Sequence, residues 1–336
     1  MRQERRSTVL VALAVLALAA PGLLQPALAQ STKKSSPANP PAASPGQPRG
    51  APAAGDGDTV YAAYQRGYYL TALAEATKRA QQNDSSAMTL LGEIYAQGLG
   101  TGRDDSKAAQ WYKLAAAQGD RNAMFALAMF NFEGRAGSRN PDEGARLLEA
   151  AANLGHPAAA YDLGLLYLQG RQVPQNFNRA AELFRLAATA GNPEAQYALA
   201  IMVKEGRGVP KDARQAMRLM GHASIAGNLD AMVEFAIAQF NGDGTDKDEA
   251  GAAQLFLRAA QRGSAIAQNR LARILMAGRG MPADPTGAIK WHIVAKAGGA
   301  GDIELDVFAG KQKRNVRDAA TIAASKWLST VAALRP

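Results

Sequence analysis

Between residues 84 and 299 a large apolar side chain returns every 36 positions: Leu91, Leu127, Leu163, Leu199, Phe235 and Leu271. Later in each copy comes a bulky pair: Trp111/Tyr112, Leu147/Leu148, Leu183/Phe184, Leu219/Met220, Leu255/Phe256 and Trp291/His292. Small residues keep the same step, as Ala115, Ala151, Ala187, Ala223, Ala259 and Ala295. Two glycine ladders run from Gly98 to Gly278 and from Gly119 to Gly299, the second extrapolating back to Asn83. Six copies of the unit fill 84–299 without insertion or deletion. Units of this length stack on their neighbours, because one alone cannot bury its apolar face.

Each copy predicts two helices. The first starts at the column Asp84, Asp120, His156, Asn192, Asn228 and Ser264, five of which are established acceptors for the unpaired N–H groups of a helix start. Pro157 and Pro193 follow as first helical residues, where a missing N–H costs nothing. The Gly98 ladder ends this helix. The second helix starts after Asp104, Asn140, Asn176, Asp212, Asp248 and Asp284. Ala108, Trp111, Tyr112 and Ala115 then fall on one stripe of it. Alanine throughout the Ala115 column predicts a close helix crossing. In the fifth copy, Phe235, Ala238 and the turn Gly242-Asp243-Gly244 depart from their columns, which predicts looser packing than in the third.

Flanking segments carry different patterns. Residues 1–29 read as a secretory signal peptide: Arg2, Arg5 and Arg6, an apolar run from Val9 to Ala20, and the small-x-small site Ala27-Leu28-Ala29 before Gln30. The run is short of the roughly 20 residues that span a bilayer, so no stable membrane span is expected after cleavage, and the mature chain is expected to be periplasmic or secreted. Residues 30–58 are Pro, Ser, Ala and Gly with almost no large apolar side chain, the composition of a disordered linker. Residues 59–83 read as a capping hairpin, Val60–Arg66 and Tyr69–Ala80, holding Tyr61, Tyr64, Tyr68 and Tyr69. Those tyrosines either pack the cap or form a binding patch. After Gly299 the register fails, and 300–336 read as C-terminal capping helices, Asp302–Gly310 and Arg317–Leu328.

The net charge of +9 sits mostly outside the repeats. Residues 1–29 carry +2, 30–59 carry +1 and 311–336 carry +5, leaving the body near neutral, so no nucleic acid is expected as a partner. Lys311, Lys313, Arg314 and Arg317 form the one concentrated basic cluster of the mature chain, either solvated charge or a contact for an acidic protein or anionic lipid. The chain has no Cys, which removes disulfides, thiolate metal sites and thiol nucleophiles. His156, His222 and His292 are dispersed over different copies and are not expected to converge on a metal. There is no His-Glu-x-x-His, Gly-x-Ser-x-Gly or phosphate-binding Gly-rich motif, and the Gly-x-Gly pieces follow helices rather than strands. No catalytic residue, metal or cofactor is expected.

Residues 155–191 read Gly-x-Pro-x-Ala-x-Tyr-x-Leu-Gly-x-x-Tyr-x-x-Gly-x-x-Val-Pro-x-Asn, continuing to Ala-x-x-x-Phe-x-x-Ala-Ala-x-x-Gly, when the positions between are left open. This pattern resembles the Sel-one-like repeat, a branch of the tetratricopeptide-like helical repeats, and exported bacterial members are common. The resemblance implies an all-α fold, a right-handed α-solenoid of antiparallel helix pairs with a 36-residue repeat, used mostly for protein–protein contact. A cysteine-rich branch linked to penicillin binding is excluded by the absence of Cys. In such solenoids the first helices line the concave side. Their outer columns are apolar in the middle copies, with Phe125/Met129, Tyr161/Leu165, Tyr197/Ile201 and Val233/Ile237, and polar at the ends, with Thr89/Glu93 and Asn269/Arg273. Packing between copies could consume these side chains; otherwise they form a groove for a protein or peptide. The expected function is an exported scaffold or regulatory adaptor binding another cell-envelope protein. The alternatives are a structural protein on cell-wall polymer and, more distantly, a cell-wall hydrolase.

Overall fold

The computed structural model describes residues 59–333 apart from Ala136, and the signal-peptide and linker segments lie outside that range. The described chain is all helical. Two compact units divide at 175/176. The first holds α1 (Thr59–Gln65), α2 (Tyr69–Ala80), α3 (Ser85–Gln97), α4 (Asp105–Ala117), α5 (Arg121–Glu133), α6 (Pro141–Asn153) and α7 (Pro157–Gln169). The second holds α8 (Phe177–Thr189), α9 (Pro193–Glu205), α10 (Ala213–Ile225), α11 (Leu229–Asn241) and α12 (Glu249–Gln261). It continues with α13 (Ala265–Ala277), α14 (Pro285–Ala297), α15 (Ile303–Lys311) and α16 (Arg314–Ala333). Within each unit every helix packs on the next in sequence as far as α14, which then carries α15 and α16. The fold is an α-solenoid of antiparallel helix pairs.

Twelve helices, α3 to α14, are each 13 residues long because both ends are chemically fixed. All twelve N-cap side chains accept a bond from a backbone N–H two or three residues on. His156, the odd member of its column, does so through Nδ1, which accepts from the N–H of Ala159 at 3.0 Å. Burial, then the nearby Arg121 charge, lowers its pKa and favours the neutral ring that can accept. The Gly98 ladder closes the first helices at φ between 68° and 82°, and Asn83 takes the glycine-like conformation of the second ladder at φ 61°.

The core follows the columns. Leu91, Leu163 and Leu271 are fully buried, and all six residues of the Ala115 column are 0 % exposed. In each bulky pair the second member is the core knob: Tyr112, Leu148, Phe184, Met220, Phe256 and His292 are all buried. Phe235 is the exception in its column. It is only half-buried, and its ring lies over Gly221, whose missing side chain makes the room. Ala187, on α8, is fully buried at the helix crossing. Ala187→Leu is therefore expected to cost about 1–3 kcal/mol by overpacking; a urea midpoint equal to wild type would show that this column is not at the crossing.

The terminal helices differ partly from the sequence expectation. Tyr64 and Tyr69 pack edge to face at 5.7 Å, and the Tyr64 hydroxyl donates to Glu93 Oε1 at 2.8 Å, so both help cap the first repeat. Tyr61 stacks on Tyr64 at 6.0 Å while 49 % exposed, and Tyr68 is exposed. At the other end α16 begins at Arg314 rather than Arg317 and runs to Ala333. Its Trp327 meets Trp291 at 5.6 Å and closes the last apolar face. His292 occupies a core position because α15 answers it: Nε2 lies 2.9 Å from Asp306 Oδ1, and Lys296 holds the same carboxylate at 2.9 Å.

Candidate protein-interaction surface

The structure divides the eight apolar residues of the outer columns. Met129, Ile201 and Val233 are 6 %, 3 % and 6 % exposed and belong to the core. For these three, helix packing consumes the stripe, and they offer nothing to a ligand. Phe125, Tyr161, Leu165, Tyr197 and Ile237 are half-buried. Phe125 stacks on the ring of His156 at 4.6 Å, so the cap of one copy steadies an aromatic of the copy before it. Burial, and secondarily Glu234 and Asp230, raise the Tyr197 phenol well above its ordinary range. Glu234 in turn receives the Lys204 ammonium at 2.9 Å, so Tyr197 sits beside a paired charge. Phe125, Tyr161 and Leu165 belong to the first unit, Tyr197 and Ile237 to the second.

Ile237 lines a cavity of about 360 Å³ in the second unit, together with Phe240 of α11 and Ile274 of α13. Arg270, Arg273 and Arg279 stand around it with Glu304. The sequence reading marked Arg273 only as polar and did not single out Arg270. The four basic residues of the terminal cluster are all exposed. Lys311 ends α15, Lys313 lies between the helices, and Arg314 and Arg317 fall in the first turn of α16. Arg314 lies 3.7 Å from Asp318. The positive end of the helix dipole gives this cluster no local support.

A second feature escaped the sequence reading because its step is 30 residues, not 36. The residue after the first-helix glycine is arginine in four copies, Arg135, Arg171, Arg207 and Arg279. All but Arg171, whose counterpart 30 positions back is Pro141, reach into the preceding copy. Arg135 donates to Asp105 at 2.6 Å and to the Ala96 carbonyl at 3.0 Å. Arg279 donates to Glu249 and lies 4.6 Å over the Phe240 ring, while Arg207 lies 4.5 Å over Phe177. Each first-named partner opens the second helix of the preceding copy, so the arginine clasps two copies together. Arg103 and Arg135 hold Asp105 down at about 2, and Arg279 and Lys247 do the same for Glu249. In the fifth copy the position is Asp243, whose carboxylate takes a bond from Asn241 at 3.3 Å, and the counterpart 30 positions back is Ala213.

One carboxyl stands apart from these pairs. Asp162 on α7 has no hydrogen-bond or charge partner among the described residues, and burial pushes its pKa up to about 7. Among the described residues no three His, Asp or Glu side chains gather as a metal site, and no helix is long and apolar enough to cross a membrane.

Comparison with known proteins agrees with this geometry. The Sel1 repeat model matches six times, at 85–120, 121–156, 157–192, 193–228, 229–264 and 265–299. A Sel1 repeat protein from Oxalobacter formigenes is 26 % identical with a TM-score of 0.61, over 70 % of this chain and 95 % of that one. A protective antigen of uropathogenic Escherichia coli with an SLR fold is 24 % identical with a TM-score of 0.55, over 81 % of this chain and 68 % of that one. The latter likeness shows the fold alone. No curated protein matches the chain.

Proposed function

Because the chain belongs to the Sel1 repeat family, whose helical repeat fold is typical of protein-interaction scaffolds, we propose that it is an exported adaptor. It binds another cell-envelope protein through the face of its first helices and performs no chemistry. The observation that carries this reading is the set of half-buried apolar side chains on the first helices of each unit, Phe125, Tyr161 and Leu165 in the first and Tyr197 and Ile237 in the second. Side-chain caps on α3 to α14 and the arginine clasps of Arg135, Arg207 and Arg279 already hold the scaffold together, so these part-exposed aromatics are available for another role. Large, rigid aromatics presented in this way act as anchors in protein interfaces. Fold does not name a partner, so the partner must be found by capture.

Export rests on residues 1–29. Mass spectrometry of the protein from its host is expected to show a mature N-terminus at Gln30, and an intact Met1 in cytoplasmic extract would contradict export. Crosslinking in envelope extract, followed by pull-down, tests the function. A stoichiometric protein partner is the expected product. Glycan recovered without protein would instead support attachment to cell-wall polymer.

A further inference from the structure

The cavity beside Ile237 has the size of a binding pocket and an unusual rim. Its volume of about 360 Å³ lies within the range of natural ligand pockets, and its walls are apolar at Ile237, Phe240 and Ile274. Three guanidinium groups surround these walls. Arg270 and Arg273 are three residues apart on α13 and share a face, and Arg279 follows in the turn. Arg273 commits two N–H groups, to Asp302 at 2.6 Å and to Glu304 at 2.9 Å. Arg279 commits two to Glu249 and lies over Phe240. A guanidinium carries five N–H donors, so both are held in place with donors to spare. Arg270 is exposed and has no partner among the described residues.

We propose that this cavity docks an acidic segment of a partner protein. One large apolar side chain enters between Phe240 and Ile274, and a neighbouring Asp or Glu pairs with Arg270. The proposal rests on the scaffold reading above and adds the chemistry of the ligand. Charge complementarity selects the occupant. Asp302, Glu304 and Glu249 balance Arg273 and Arg279, which leaves Arg270 as the uncompensated charge at the rim. Residues 30–58 of this chain, with Lys33, Lys34 and Arg49 against Asp56 and Asp58, are net positive and a poor match to it. The end of a second copy, at +5 over 311–336, is disfavoured more strongly. An acidic segment gains a charge-assisted bond to a group that is otherwise only solvated.

Fluorescence anisotropy with the full chain and a labelled peptide series tests this. The series comprises short peptides with Phe or Leu flanked by Asp and Glu, their Asn/Gln counterparts, and versions with Ala for the apolar residue. The acidic–apolar peptides are expected to bind, more weakly as salt rises. Losing either the carboxylates or the apolar residue is expected to raise Kd about tenfold or more, and Arg270→Glu to do the same. Arg262→Glu, at an exposed arginine outside the cavity, is expected to leave Kd unchanged, and unchanged melting of both variants would show that they fold. Equal binding of the neutral peptides, unchanged affinity in Arg270→Glu, or no binding across the series would overturn the assignment. Should the crosslinked envelope partner still be captured while the series is silent, the pocket assignment fails and the scaffold reading stands. If neither binds, both fail.

Discussion

Gly280→Ala is expected to destabilise the second unit by about 3–5 kcal/mol, through two effects that add. Gly280 has φ 78°, where an L side chain is strained, and its added methyl would fall on the backbone carbonyl of Glu249. That carbonyl belongs to the first turn of α12 in the preceding copy, so relief requires two copies to move apart and the Arg279–Glu249 clasp to open. Gly263→Ala is the control. Its φ is 93°, but nothing lies near the added methyl, so only the conformational cost of about 1–2 kcal/mol is expected. Urea unfolding of the two variants separates the contributions. Equal losses would show that close approach between copies is not what the glycine serves.

Asp162→Asn is expected to stabilise the protein at alkaline pH. The folded pKa of about 7 lies above the ordinary 3.8 because burial disfavours the charged form. The folded state therefore holds the proton more tightly than the unfolded chain. Its contribution is complete below about pH 4 and is lost as pH rises through about 7. Above that, wild type carries an unpaired carboxylate on a half-buried residue, and Asn does not. The variant is expected to gain about 2–4 kcal/mol over wild type at pH 8 to 9 and little at pH 4. Urea midpoints at the two pH values measure the difference; a gain of the same size at both would mean that charge is not its source.

His156 behaves in the opposite sense. Its folded pKa is lowered from the ordinary 6.5, so its contribution is present above 6.5 and is lost as pH falls through the folded value. Protonation takes the Nδ1 lone pair that caps α7. Acid therefore acts on the start of α7 through His156, and alkali acts six residues later through Asp162.

Much of the fold was legible because each column carries one physical demand. The cap columns placed every helix start from α3 to α14, and the ladders predicted the left-handed conformation even at Asn83, where the residue is not glycine. Legibility ended where the repeat did. The start of α16 was misplaced by three residues because Arg314 sits outside any 36-residue column and no capping residue of the usual type precedes it. The candidate surface was only half legible for another reason. In a helix packed on both sides, Met129 and Phe125 share one stripe, and periodicity cannot say which of the two the neighbouring helix covers. The arginine clasp and the Arg270 rim join residues of different copies, so no column within one copy contains them. Their signal was a pairing at a step of 30, Arg135 with Asp105 and Arg279 with Glu249, visible only once copies are compared out of register.

Binding by the first-helix face is the central claim, and Tyr197→Ala tests it most directly. Affinity for the crosslinked envelope partner should be measured alongside urea unfolding, so that binding is expressed per folded molecule. Tyr197 is half-buried and lies beside Glu234, so part of its loss is structural. As an anchor it is nonetheless expected to contribute about 1–2 kcal/mol or more to binding, a fall in affinity of about tenfold. Unchanged affinity per folded molecule, with a stability loss of about 3–5 kcal/mol, would contradict the account and make Tyr197 a core residue only.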